Sequence, residues 1–224
     1  EKAPKPLVSL MGQPMIGRLV KILASCGAGV IHIVANSRMP ELVEYLAELQ
    51  KEVDVPLVVR PIISDNSYYS LTEAAAGLKG KFIGMTVDAI FANDEFRRYV
   101  EAVEAMPEGE VLMGLTRFVD DESPLYARIG PDGDVIDYRY GGEPFAEGTI
   151  VSAGLYGLTA EAMETVAGVR YPASLSDFQR VLAAETDIKV KPFEFSKALD
   201  VDCGHDRETA EAFLREVNGE TVQK

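Results

Sequence analysis

Asp88 is the residue whose position says most about chemistry. It closes the run Lys81-Phe82-Ile83-Gly84-Met85-Thr86-Val87, which reads as a strand, and Ala89-Ile90-Phe91 follows. In open α/β sheets ligands bind outside the carboxyl ends of strands, and an acid there offers hard oxygen to a divalent cation. A turn or helix-start acid accounts for the same position equally well. Asp200-Val201-Asp202 is a second acidic site, after the apolar-rich stretch Val190-Lys191-Pro192-Phe193-Glu194-Phe195. Alternation puts Asp200 and Asp202 on one side of an extended segment. They repel each other unless a cation or base sits between them, and Lys197 is close enough in sequence to be that partner. Without a ligand the same residues read as a solvated strand end before a helix.

Pro4-Lys5-Pro6-Leu7 sets a lysine between two prolines. Proline fixes the backbone on both sides, so the amine is held with little loss of chain entropy. That suits a phosphate contact by a point charge, although alone it reads equally as a terminal lysine. Weaker candidates surround these three. His32 alternates into an apolar strand and reads as a sheet histidine, and His205 as a turn or cap residue. Tyr68 and Tyr69 offer rings to a base, yet aromatic residues before a helix commonly pack on the sheet. Cys203 lies beside the acids with no paired base.

These residues need elements to position them. Pro14 to Cys26 reads as a helix with Met15, Ile16, Leu19, Val20, Leu23 and Cys26 on one face and Gly27 as its C-terminal stop. Gly29 to Val34 and Pro56 to Arg60 read as strands around a helix from Pro40 to about Lys51. Ser70-Leu71-Thr72-Glu73 has capping-box spacing and predicts a helix start there. Asn93, with Asp94 and Glu95 behind it, predicts another. Val111 to Thr116 and Val151 to Leu158 read as strands, with Thr159 capping the next helix, and a last helix runs from about Asp206 to Val217. From Asp120 to about Gly148 the pattern changes. Short β segments at Ala127 to Ile129 and Val135 to Tyr138 flank Pro131-Asp132-Gly133, a hairpin signature. Strand and helix alternate on either side of this antiparallel excursion. The expectation is therefore an α/β, three-layer mixed sheet with a small β-hairpin insertion.

The chain has 224 residues, 47% of them hydrophobic and 26% charged, as in an ordinary soluble domain. No apolar run is long enough to cross a bilayer, and Glu1 to Pro6 carries no secretory h-region. Two cysteines, Cys26 and Cys203, cannot build a disulfide framework. Free thiols in a reducing compartment, the cytoplasm, are expected. The net charge of −14 repels phosphate backbones and argues against nucleic acid as a partner. It does not exclude a small phosphorylated ligand, because a basic loop or a bound cation reverses the field inside a cleft.

Taken in order, these motifs resemble the sugar-phosphate nucleotidyltransferases, the nucleoside-diphosphate-sugar pyrophosphorylases with a GT-A-like, Rossmann-like fold. The resemblance covers Pro4 to about Leu214. It rests on Pro4-Lys5-Pro6-Leu7, Gly12-Gln13-Pro14-Met15-Ile16, Val87-Asp88, Ser152-Ala153-Gly154-Leu155-Tyr156 and Asp200-Val201-Asp202. It implies a single nucleotidyltransferase domain over 1–224, with a nucleotide-binding half at 1–116 and an acceptor-binding half at 117–224. The implied reaction moves a nucleoside monophosphate from a nucleoside triphosphate to a phosphorylated acceptor, a sugar 1-phosphate or phosphocholine-like, and releases pyrophosphate. The implied cofactor is Mg²⁺ on Asp88 and Asp200, with Asp202 ligating directly or through water. Lys5 would steady the triphosphate, and Asn66 and Ser70 would approach the base or ribose. Glu143, Gly154, Arg180 and Lys197 would face the acceptor.

Two departures accompany the resemblance. The family opens with a strand and a glycine-rich loop, Gly-x-Gly-[Ser/Thr]-Arg. Nothing before Pro4 supplies it, and the expectation is that this segment is missing from the sequence. Gly141-Gly142-Glu143-Pro144 lacks the lysine that many sugar enzymes carry after the glutamate, which argues against a standard hexose 1-phosphate and brings in Arg180 as the substitute cation. Two neighbouring readings stay open, a molybdopterin-type nucleotidyltransferase and a degenerate nucleotide-binding regulator. So do the base, the acceptor and self-association into a homo-oligomer.

Overall fold

The computed structural model describes residues 4–119, 123–202 and 204–219. Two units emerge, one of residues 1–65 with 201–224 and the other of residues 66–200. In the first, one 3-10 turn at Lys5–Leu7 leads into a tight hairpin of β1 (Ser9–Leu10) and β2 (Gln13–Pro14). Its central residues, Met11 and Gly12, have φ of 51° and 79°, the left-handed pair that a two-residue hairpin loop requires. Glycine takes this conformation freely, whereas Met11 is held in it with its N–H donating to Glu211 Oε1 at 3.2 Å. Next comes α1 (Met15–Ser25), with Met15, Ile16, Leu19, Val20 and Ile22 on its buried stripe. β3 (Ile31–Asn36) and β4 (Leu57–Ile62) pair in parallel, as a crossover through a helix demands, and α2 (Pro40–Leu49) is that helix.

The second unit opens with α3 (Ser67–Ala75), followed by β5 (Lys81–Met85), β6 (Ala89–Phe91), α4 (Asn93–Ala105) and β7 (Glu110–Thr116). Then come the hairpin β8 (Leu125–Ile129) and β9 (Val135–Tyr140), the long β10 (Val151–Thr159), α5 (Ala160–Val169), α6 (Leu175–Ala184), β11 (Lys189–Phe195) and β12 (Ala198–Asp200). The main sheet has the order β11-β7-β10-β8-β9, with β5 also paired to β10. It is mixed, since β11 runs parallel to β7 while β10 is antiparallel to β5, β7 and β8.

Alternation along β7 explains the layers. Val111, Met113 and Leu115 join a core with Val166 of α5, Phe178, Val181 and Leu182 of α6 and Tyr68 of α3. On the other face α4 packs through Tyr99, whose Oη donates to the Leu112 carbonyl at 2.8 Å and whose ring meets Phe193 and Phe195. Helices therefore cover both faces of a mixed sheet, as the sequence pattern predicts. The hairpin stands where Pro131-Asp132-Gly133 places it, and Thr159 caps α5 by accepting from Ala162 N at 3.0 Å. The chain returns to the first unit at Val201, where α7 (Gly204–Val217) buries Ala210, Phe213 and Leu214.

Three local expectations are corrected. β5 ends at Met85, so Asp88 lies in a turn rather than at the end of the strand. Helix α3 starts at Ser67, not Ser70, because Asn66 Oδ1 accepts from Tyr68 N at 2.8 Å and from Tyr69 N at 3.1 Å. Asn93 is the first residue of α4, and the cap position falls to Ala92, which makes no side-chain cap bond.

Candidate active site

A small antiparallel ladder brings the two acids of the second unit together. β12 pairs with β6 in the register Ala198↔Phe91, Leu199↔Ile90, Asp200↔Ala89. Asp200 thus stands opposite the neighbour of Asp88, and carboxylate oxygens of Asp88 and Asp200 lie within 4.8 Å of each other. Ile90, Phe91 and Leu199 are buried, so the ladder is anchored in the core while the acids at its end reach the surface. Asp88 is half-buried and Asp200 exposed.

The turn that carries Asp88 is fixed from β10. Pairing of β10 with β7 slips between Ser152 and Tyr156, and Gly154, in this bulge, has φ of 72°. The Gly154 carbonyl accepts from Thr86 N at 3.1 Å. A side chain on Gly154 would strike Thr86 Oγ1 at 2.6 Å, so only glycine lets the turn come this close. Behind the bulge, Ser152 Oγ donates to Oε1 of buried Gln179 at 2.7 Å. Tyr156 is buried beneath, and its phenol is pushed well above the ordinary tyrosine value, first by burial and then by the negative charges of Asp88 and Asp200.

Two close carboxylates presenting hard oxygen fit a hard divalent cation. Oxygens around such an ion stand about 3–4 Å apart at metal–oxygen distances of ~2.1 Å, a span the Asp88–Asp200 pair can match. Neutralising the pair also removes the repulsion that its geometry creates.

Lys5 and Asp202 belong to the first unit, where they form an ion pair. The Asp202 backbone N–H donates to Asp206 Oδ2 at 2.9 Å, which fixes this segment just ahead of α7. Asn66 is spent on the α3 cap and donates through Nδ2 to the Pro172 carbonyl at 3.4 Å, and Ser70 Oγ donates back to the Asn66 carbonyl at 3.4 Å. Tyr68 is a core residue stacked on Phe178 at 5.3 Å between ring centroids. Lys197 Nζ lies 4.3 Å from the ring centroid of Phe118, just past the end of β7. Glu143 is exposed in the loop after β9. Arg180 is paired with Asp177 at 3.4 Å and with Glu185 at 2.8 Å. Cys26 is a half-buried free thiol, and Cys203 lies outside the described residues.

Sequence reasoning missed Thr86, Ser152, Gln179 and the burial of Tyr156 beside the acids. One signal was present, the glycines at 154 and 157 inside the apolar strand Val151 to Leu158, since a glycine there marks a bulge or a close backbone approach.

No family model matches the chain, and no curated protein matches its sequence. Solved structures do match. A candidate glucose-1-phosphate thymidylyltransferase from Bacillus anthracis, in complex with sucrose, superposes with a TM-score of 0.78 at 20% identity, covering 95% of this chain and 87% of that one. The chain has a nucleotidyltransferase fold. A UDP-glucose pyrophosphorylase complexed with UDP-glucose shares the fold at a TM-score of 0.72 and 14% identity, over 95% of this chain and 91% of that one. The CTP:phosphocholine cytidylyltransferase of Streptococcus pneumoniae does so at 0.68 and 19%, over 95% and 90%. In this chain's nucleotidyltransferase fold, the Asp88 turn and the end of β12 make up the acidic corner of the second unit. Among the described residues no helix is long and apolar enough to cross a membrane.

Proposed function

We propose that the protein is a nucleotidyltransferase, transferring a nucleoside monophosphate from a nucleoside triphosphate to a phosphorylated small acceptor. The observation that carries this reading is the Asp88–Asp200 pair, built by the β6–β12 ladder in a fold whose neighbours are transferases of this kind by name. An oxygen of the acceptor phosphate attacks the α-phosphorus, the bond from that phosphorus to the bridging oxygen breaks, and pyrophosphate leaves with the bonding electrons. Mg²⁺ bound to Asp88 and Asp200 supplies neutralisation of charge around the α-phosphorus.

The protein's own work is positioning. Asp88 is set by the Thr86–Gly154 contact and Asp200 by the ladder to Ala89. Asp202, two residues further along the chain, completes the proposed ligand set directly or through water. Lys5 steadies the triphosphate, with its proline-flanked turn holding the amine in place. Asn66 and Ser70 form the proposed approach to the base or ribose, their side chains already shaping the start of α3. Glu143, Gly154, Arg180 and Lys197 form the proposed acceptor side, in a division of 1–116 for nucleotide and 117–224 for acceptor. Arg180 is paired with Asp177 and Glu185, which draws its charge away from the acceptor. A reducing, nucleotide-rich cytoplasm suits this chemistry and the free Cys26 thiol.

The test is a panel of the four nucleoside triphosphates against glucose 1-phosphate, inositol 1-phosphate and phosphocholine, read as pyrophosphate release with Mg²⁺. Release is expected for one pairing and is expected to fall about a hundredfold or more in Asp88→Asn, since losing a charge-stabilising group costs several kcal/mol and each 1.4 kcal/mol is tenfold. Undiminished release in a folded Asp88→Asn protein would sink the assignment.

A further inference from the structure

The β8–β9 hairpin carries a second cluster that the proposed reaction leaves unused. Its register pairs Tyr126 with Arg139 and Arg128 with Asp137, so Arg128 and Arg139 project from the same face as diagonal neighbours. Both guanidinium groups stand over one ring, that of Phe145, with Cζ atoms 4.2 Å (Arg139) and 5.5 Å (Arg128) from its centroid. Neither is well neutralised. Arg128 reaches Asp137 only at 3.7 Å, while Asp137 Oδ1 accepts from the backbone N–H of Tyr138 at 2.8 Å. Arg128 Nε is buried with no hydrogen-bond partner. Arg139 is exposed, and among the described residues no carboxylate pairs with it. In a chain with 36 acids and a net charge of −14, two converging arginines that among the described residues have one carboxylate partner, Asp137 at 3.7 Å, stand out. A guanidinium stacked on a ring keeps its N–H donors in plane and available, the geometry that clamps a carboxylate or phosphate through two parallel bonds.

The sheet register locates the cluster. Val151 of β10 pairs with both Thr116, the last residue of β7, and Tyr126. Arg128 therefore projects past the carboxyl ends of β7 and β11, the side on which ligands of such sheets bind. The Asp88 turn follows Met85, which pairs with Leu155. The β10 bulge sets Leu155 two residues of β7 below Thr116, so along the strand direction Arg139 is about 7 Å and Arg128 about 13 Å from that level at ~3.3 Å per residue. The reacting phosphate already has the proposed cation on Asp88 and Asp200 and the proposed contact from Lys197, which leaves the arginines for a second anionic group.

We propose that Arg128 and Arg139, clamped on Phe145, form a subsite for an anionic group that the acceptor carries in addition to its reacting phosphate. This rests on the transferase reading, so the decisive experiment measures binding without nucleotide. Calorimetry compares glucose 1-phosphate with glucuronic acid 1-phosphate and with glucose 1,6-bisphosphate, which add a carboxylate and a second phosphate respectively. At least one doubly anionic acceptor should bind ten times or more tighter than glucose 1-phosphate, and which one identifies the group. The preference should collapse towards parity in Arg139→Gln. Arg128→Gln, verified as folded by circular dichroism, should reduce it as well. Equal binding of all three acceptors, no binding of any, or a preference that survives in Arg139→Gln overturns the subsite. Pyrophosphate release from the panel above judges the transferase reading separately.

Discussion

The Thr86 backbone N–H donates to the carbonyl of Gly154 at 3.1 Å, and the position a Gly154 side chain would occupy is 2.6 Å from Thr86 Oγ1. One hydrogen bond and one missing methyl group thus fix where Asp88 stands. Gly154→Ala is expected to combine a left-handed backbone strain with this clash, costing about 1–3 kcal/mol. At 2–4 °C per kcal/mol for a chain of this size, the melting temperature should drop by roughly 3–10 °C. Thr86→Ala removes the hydroxyl but keeps the backbone bond and should stay close to the parent. Melting curves of the two variants check this, and a larger loss in Thr86→Ala would count against it.

The Asp88–Asp200 pair exists only in the folded chain, so binding of the proposed Mg²⁺ should stabilise the protein by RT ln(1 + [L]/Kd), about 2.7 kcal/mol at a hundredfold excess over Kd. A rise in melting temperature on adding Mg²⁺ is expected in the parent and lost on chelation. Asp200→Asn should respond little to the metal. A full Mg²⁺ response in Asp200→Asn would remove that residue from the ligand set.

Asn66 carries a stability role that its proposed nucleotide role can be separated from. Asn66→Ala should cost about 1 kcal/mol through loss of the α3 cap, a melting shift of roughly 2–4 °C. Asn66→Asp keeps the accepting oxygen and places a negative charge at a helix N-terminus, where it is favourable and offsets loss of the long 3.4 Å bond to the Pro172 carbonyl. If Asn66 also meets nucleotide, Asn66→Asp should melt like the parent and yet show a raised KM for nucleoside triphosphate. An unaltered KM in that variant confines Asn66 to capping.

Asp177 joins α5 to α6 through two 2.6 Å bonds from Arg170. Those bonds hold its carboxyl well below the usual aspartate range against the opposing effect of burial, with the Ala173 N–H helping. A depressed folded-state pKa contributes stability that is fully present above the unfolded value, about 3.9, and is lost as pH falls through the folded value. The parent should therefore exceed Asp177→Asn in melting temperature at neutral pH by a few °C, a modest figure because the pair is partly exposed. The gap should close progressively below about pH 4. Melting curves from pH 7 down to pH 2 measure it, and a constant gap would contradict the linkage.

The layered architecture was legible because alternation and helical stripes are local. Val111, Met113 and Leu115 announce the buried face of β7 by spacing alone, and Pro131-Asp132-Gly133 announces the hairpin. Each acid could be singled out because it follows an apolar run, but the pairing of Asp88 with Asp200 followed only from the resemblance. What escaped depends on partners remote in sequence. The strand before Asp88 stops at Met85 where β10 bulges at the left-handed Gly154, and nothing between Lys81 and Asp88 encodes that. Ser70 and Glu73 have proper capping spacing, yet burial of Tyr68 and the Asn66 side chain set the cap four residues earlier. The shared face of Arg128 and Arg139 follows from a hairpin register that includes an irregularity at Ile129, which spacing alone cannot supply.

The ladder between β6 and β12 joins residues more than a hundred positions apart, with three paired residues on each side. During synthesis, Asp88 leaves the ribosome long before Asp200 exists, and the loop between them must close before their carboxylates meet. Metal affinity should therefore appear only once nearly the whole chain is available. A polypeptide ended before Asp200 would carry most of the sheet but only one of the two acids of the proposed cation-binding corner, so capture of the proposed Mg²⁺ would report that the two halves of the ladder had met.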